Sequence, residues 1–182
     1  MRLLLFLFFT TLCVAQVQQV WNPPPVAKGS GNGFDIPSGI GVDNAGNVYV
    51  GGSVTELGTT DKDWLIIKYD PSGNLLWTKD FPNFGNDLLT AMYVDTAGNV
   101  YATGMYNFGS SSGGRQTEIY TIKVASSSTT IWSRRFSLKP GAGEDCGNAI
   151  FVDRFRNVFV TGYGETPEGT WDIVTLQYDN TT

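Results

Sequence analysis

The feature that most constrains this chain is a unit of fifty-odd residues that occurs three times in register. Residues 39–52 read GIGVDNAGNVYVGG, residues 91–104 read AMYVDTAGNVYATG and residues 149–162 read AIFVDRFRNVFVTG. Asp43, Asp95 and Asp153 hold the same place in each copy, 52 and 58 residues apart, and Asn47, Asn99 and Asn157 each follow four residues later. A second block comes after the first: DWLIIKYDPSGNLLW at 63–77, EIYTIKVASSSTTIW at 118–132 and DIVTLQYD at 172–179. Trp77 and Trp132 close that block in two copies, and Trp21 stands 56 residues before Trp77. Self-similarity at this period marks a repeat architecture, in which each module buries its apolar faces against its neighbours.

Each copy contains four short runs rich in β-branched and aromatic residues, in the first copy GIGV, NVYVGG, WLIIKY and NLLWTK. The turns DNAG and DPSG fit a type I turn followed by a left-handed glycine: the aspartate caps the turn, Pro71 suits its second position, and Gly46 and Gly73 take positive φ. Tandem four-stranded units predict an all-β chain, a β-propeller of four-stranded antiparallel blades with about three blades present. The blades are placed at about residues 36–80, 88–135 and 146–179, with residues 17–21 as a stray outer strand. No long apolar stripe of helical period occurs, so no helix is expected beyond the leader. The third copy carries Arg156 where the left-handed glycine belongs, at a cost of about 1–2 kcal/mol, so Arg156→Gly is expected to stabilise the chain.

With these residues in view, the chain resembles the bacterial β-propeller repeat family known as SBBP. Its repeat looks like A-I-A-V-D-x-x-G-N-V-Y-V-T-G followed by D-Y-x-T-I-K-Y-D-x-x-G-x-x-x-W, and the likeness extends over residues 17–179. The resemblance implies an exported bacterial protein whose repeat motifs are structural, and it carries over no catalytic residue.

The leader agrees with export. Residues 1–15, MRLLLFLFFTTLCVA, have the basic start, apolar run and small final residue of a secretory signal peptide, and the run stops short of the about 20 residues a membrane span needs. Cleavage after Ala15 would remove Cys13, leave Cys146 as the lone cysteine with no disulfide, and leave no membrane span. Cys146 has no basic neighbour within three residues, so it reads as a small buried residue. The absence of histidine excludes Ser-His-Asp triads and His-ligated metals, and a net charge of −5 without clustered Lys or Arg excludes nucleic acid.

Three groups of repeated side chains are candidate functional positions. Trp21, Trp77 and Trp132 suit either an aromatic ligand platform or, more simply, packing between blades. Asp43, Asp95 and Asp153 read as turn caps, because a calcium loop of the EF-hand type needs further acidic ligands. Asp35, Asp87 and Asp145 each lie eight residues before a turn aspartate, just ahead of the innermost strand, with Glu144 beside the last. Repetition about an axis would aim these four carboxylates at one channel mouth, where a cation such as calcium or a cationic ligand is one occupant. The alternative is that each ties down its own loop or joins adjacent blades. No other cofactor is implied.

Counted from the inner edge outward, the strands run D, ABCD, ABCD, ABC. Three blades are too few for a ring, which takes about four to eight. Either the chain is a piece of a longer propeller, or two copies form a homodimer in which each leading strand completes the other's last blade. The function expected is that of an exported, noncatalytic binding or scaffold module, secreted or at the cell surface, with a glycan, a peptide or a surface protein as partner. The alternative is a piece of a propeller enzyme. IKYDPSGNLLW also resembles the tryptophan-bearing repeat of quinoprotein dehydrogenases, and a glycan-active site would use Asp87 with Glu144.

Overall fold

Short runs of alternating β-branched and aromatic residues, broken by Asp- and Gly-bearing turns, yield eleven strands and no helix among the described residues. The computed structural model describes residues 20–21, 33–82, 85–107 and 116–179. The leader, the link at 108–115 and residues 180–182 lie outside the described residues. So does most of the expected leading strand, of which only Val20 and Trp21 are described, in a bend.

Sheet 1 contains β1 (Ile36–Val42), β2 (Val48–Thr55), β3 (Lys62–Tyr69) and β4 (Leu75–Phe81). Sheet 2 contains β5 (Leu88–Val94), β6 (Val100–Asn107), β7 (Thr117–Val124) and β8 (Thr130–Phe136). Sheet 3 contains β9 (Asp145–Val152), β10 (Val158–Glu165) and β11 (Trp171–Tyr178). In every sheet, strands adjacent in sequence pair antiparallel.

The turns form as their chemistry predicts. Asp43 Oδ1 accepts the backbone N–H of Ala45 and of Asn47, both at 2.9 Å, while its Oδ2 accepts the Asn47 side-chain amide at 2.8 Å. The same three bonds recur at Asp70, Asp95 and Asp153. The asparagine four residues on is thus the second half of the turn, closing on the carboxylate oxygen the backbone leaves free. Gly46 has φ 81° and Gly98 φ 82°, and Arg156 is forced to φ 69° at the same point. Ser128 adopts φ 74° in the second copy's other turn, where Ala125 replaces the aspartate, a second strained position.

Alternation along the strands gives sheet 2 two apolar faces. Val100 and Ala102 of β6 and Ile122 and Val124 of β7 meet Tyr49, Trp64 and Ile66 of sheet 1. Tyr101, Ile119 and Trp132 turn the other way, onto Val158, Val160 and Val174 of sheet 3. Each fully buried aliphatic side chain contributes roughly 1.5–3 kcal/mol, so these two seams hold the three sheets face to face. The approach is close: a Cβ on Gly39 would stand 2.3 Å from Met92 Cγ, and one on Gly51 2.5 Å from Met92 Sδ. The first strands of successive sheets touch, β1 with β5 and β5 with β9.

Candidate functional site

The repeated polar residues converge on the seams between sheets. Each first strand carries a β-bulge where one residue is left out of the ladder: Ser38 between Pro37 and Gly39, Thr90 between Leu89 and Ala91, and Asn148 between Gly147 and Ala149. A bulge re-aims the side chain it carries. Ser38 Oγ donates to the Leu89 carbonyl of sheet 2 at 2.5 Å, and Thr90 Oγ1 donates to the Gly147 carbonyl of sheet 3. Ser53 Oγ accepts the Leu89 N–H at 2.9 Å, so both main-chain groups of Leu89 are satisfied from sheet 1.

The candidate carboxylates stand at the same edge. Asp35 Oδ1 accepts the N–H of Thr55, the last residue of β2, at 3.1 Å, and Asp87 Oδ1 accepts the N–H of Asn107, the last residue of β6, at 2.7 Å. Asp87 is buried, and its own N–H donates to the Lys62 carbonyl of sheet 1 at 2.7 Å. Asp145 is also buried. Its N–H donates to Thr117 Oγ1 of sheet 2 and its carbonyl accepts from that hydroxyl, both at 2.9 Å. Burial pushes the Asp145 carboxyl above its ordinary value, although bonds from Ser137 and from the Leu138 and Glu165 backbone oppose it. Glu144 forms a parallel bridge with Thr117, and its carbonyl accepts the Glu165 N–H at 3.1 Å.

These residues therefore serve different seams: Asp87 that of sheets 1 and 2, and Asp145 with Glu144 that of sheets 2 and 3. Asp35 lies exposed on sheet 1. No group of three or more His, Cys, Asp or Glu is arranged to hold a metal ion among the described residues.

The turn carboxylates behave differently from Asp145. Burial is the largest single influence on the Asp43 carboxyl and raises it, but bonds from the Asn47 side chain and backbone, from Tyr49 and from Ala45 together outweigh it and leave its pKa lowered. For Asp153 burial is again the largest single influence and raises it, but bonds from Asn157 and the Phe155 amide together with the Arg154 charge leave it lowered. Asp70 is lowered chiefly by the Asn74 side chain.

Tyr49 Oη donates to Asp43 Oδ2 at 3.0 Å while Lys68 Nζ lies 5.0 Å from the Tyr49 ring centroid. Tyr101, Asp95 and Lys123 repeat this arrangement one sheet on, and burial first, then Asp95, pushes the Tyr101 phenol up to about 12. The third copy replaces both partners, with Phe159 and Gln177. Phe159 is only half-buried, because among the described residues no sheet covers its side of β10.

Trp77 and Trp132 are seam residues, and Trp21 packs on sheet 1 alone. Trp77 Nε1 donates to the Ser126 carbonyl of sheet 2 at 3.0 Å, and its ring packs edge-on to Tyr49 at 6.0 Å. Trp132 is buried against Tyr178 of sheet 3, with ring centroids 5.8 Å apart. Trp21 Nε1 donates to the Pro71 carbonyl of sheet 1 at 3.0 Å, and its ring packs on Tyr69. Sequence spacing located all three, but not the acceptors of Trp21 and Trp77, which lie about fifty residues away. Cys146 is buried and its thiol is pushed up to about 11 by desolvation, which suppresses thiolate chemistry.

Apart from the seams, a concavity of about 550 Å³ opens beside the β2–β3 turn, lined by Phe34, Thr55, Leu57, Thr59 and Lys62 among others. Phe34 and Leu57 are 88% and 72% exposed, an unusual placement for large apolar side chains. The Lys62 ammonium is held there by the Phe34 carbonyl and by Thr55 Oγ1. No family model matches the chain, and no curated protein matches it significantly. Among the described residues no helix is long and apolar enough to cross a membrane.

Proposed function

We propose that this chain is an exported, noncatalytic β-propeller repeat protein of the SBBP type that acts as a binding or scaffold module. The observation that carries the reading is the use made of the repeated polar residues. Asp43, Asp95 and Asp153 each hold their own turn, the Asp87 carboxylate ties its loop to the end of β6, and main-chain groups of Asp87 and Asp145 bond across the sheet seams, so the repeating part of the sequence is engaged in architecture. Recognition then falls to what differs between copies, the loops between second and third strands, as is common for loops set on a rigid frame. Among the described residues, the first copy places an apolar side chain, Leu57, together with Phe34 and Lys62 at that loop. This combination suits a ligand with an apolar or sugar face and an acceptor group, such as a glycan or a peptide. Export rests on the signal-peptide pattern of residues 1–15, and the N-terminus of secreted material should be Gln16.

Glycan and peptide arrays probed with the labelled chain test the binding role. The expected result is a restricted set of ligands whose signal falls at least tenfold in Leu57→Asp. Retention of every signal in that variant would place recognition elsewhere, and a blank array would count against a binding module.

A further inference from the structure

Sheet 2 is covered on both faces, whereas sheet 3 leaves one face exposed and sheet 1 leaves exposed the β1 side of its second face, whose β3 residues Leu65, Ile67 and Tyr69 are buried with Trp21. On sheet 1, Ile40 and Val42 stand 71% and 57% exposed, and on sheet 3, Ile173 is 86% exposed. We infer that these faces are the two halves of one interface, so that sheet 3 of one copy packs on sheet 1 of a second copy and two chains close a ring.

The two seams inside the chain show what such a joint requires. In the first, Met92 and Val94 of β5 press into Gly39, Gly41 and Gly51 of sheet 1. In the second, Ile150 and Val152 of β9 take the same places against sheet 2. Ile40 and Val42 are the corresponding knobs of sheet 1, 52 residues before Met92 and Val94, and no seam inside the chain takes them up. The matching recess exists on sheet 3: a groove of about 240 Å³ bordered by Ala149, Phe151, Phe159 and Thr161. Neither knobs nor groove carry a charge, so closing them together incurs no ionic desolvation cost.

Two further features fit the same partner. Asn148 occupies the bulge position from which Ser38 and Thr90 reach the next sheet, and it is exposed. By the repeat offset, its acceptor is the Pro37 carbonyl of the second copy. Trp21 already donates to Pro71 as Trp77 donates to Ser126, so it occupies the seat that the outer strand of a preceding sheet would take on sheet 1. Among the described residues sheet 3 has three strands where the other sheets have four. An incoming sheet 3 therefore meets a seat whose outer-strand tryptophan is in place.

Rings typically hold about four to eight blades, so two copies of these three sheets fit a six-bladed ring, a twofold pair with both joints identical. Pairing also covers the exposed edge of β11, which would otherwise invite open-ended association.

This inference rests on the propeller reading and is tested by light scattering after size exclusion across a concentration series. The wild-type chain should show twice its single-chain mass. Ile173→Asp and Ile40→Asp should each halve it while leaving the far-ultraviolet circular dichroism unchanged, since both side chains are exposed in a lone chain. Ile131→Asp, on the outer edge of sheet 2, should retain the doubled mass. A single-chain mass for the wild type, a doubled mass that survives both seam variants, or a ladder of larger species would each overturn the pair. A single-chain mass in a protein that still binds on the arrays would overturn the ring alone.

Discussion

Arg156→Gly isolates one backbone conformation. Arg156 sits at φ 69°, where Gly46 and Gly98 sit at 81° and 82° in the other copies. An L-residue there costs about 1–2 kcal/mol from the approach of Cβ to its own backbone. Glycine removes that cost but gains unfolded-state entropy worth about 0.5–1 kcal/mol. Little else is lost: Lys123, whose pKa is lowered first by burial, is lowered further by the Arg156 charge, so the arginine repels a buried cation. The net expectation is a gain of about 0.5–1 kcal/mol, equivalent to about 1–4 °C in melting temperature for a chain of this size. Urea titration should show a higher midpoint at unchanged slope. The mirror experiment uses Gly98, where an added Cβ would stand 2.3 Å from Tyr49 Oη, itself bonded to Asp43. Gly98→Ala therefore combines the conformational cost with disruption of that bond and should lose about 2–4 kcal/mol. An Arg156→Gly melting temperature equal to or below wild type would refute the turn argument.

Other outcomes follow from the carboxylates. Asp43, Asp70 and Asp153 have folded pKa values below their ordinary 3.8, so the unfolded chain binds more protons in that range. Their contribution is present above about pH 4 and lost as pH falls through the folded values, which acid titration of the urea midpoint will follow. Asp145 acts with the opposite sign: its raised pKa means that stability declines as pH rises from 3.8 through the folded value. The wild-type midpoint should therefore fall relative to Asp145→Asn over that range, and a constant difference would contradict the assignment. Because Asp87 is buried and bonded to the Asn107 N–H, Asp87→Ala should cost about 1–3 kcal/mol equally with and without calcium. A calcium-dependent rise in melting temperature that Asp87→Asn abolishes would instead assign these carboxylates to a cation.

Much of the candidate site was legible in part. The spacing of Asp43 and Asn47 is visible in the sequence, yet the closing of the asparagine amide on Oδ2 needed the folded turn. Asp87 and Asp145 were recognised as repeated acids ahead of an inner strand, but nothing local distinguishes a solvent-facing carboxylate from one buried at a seam. Ser38 and Thr90 passed unnoticed because a bulge has no composition of its own: it exists only relative to the register of the neighbouring strand.

What the residues alone determine is everything short in range: the alternation that makes a strand, the Asp and Gly that make a turn, and the period at which both return. These depend on contacts within a few residues, which any copy of the motif carries with it. Which face of a strand is covered, which carbonyl receives Trp77, and which carboxylate is removed from water depend on a neighbouring sheet about fifty residues away. Only packing decides those, because burial is a property of the space between modules and not of any module by itself.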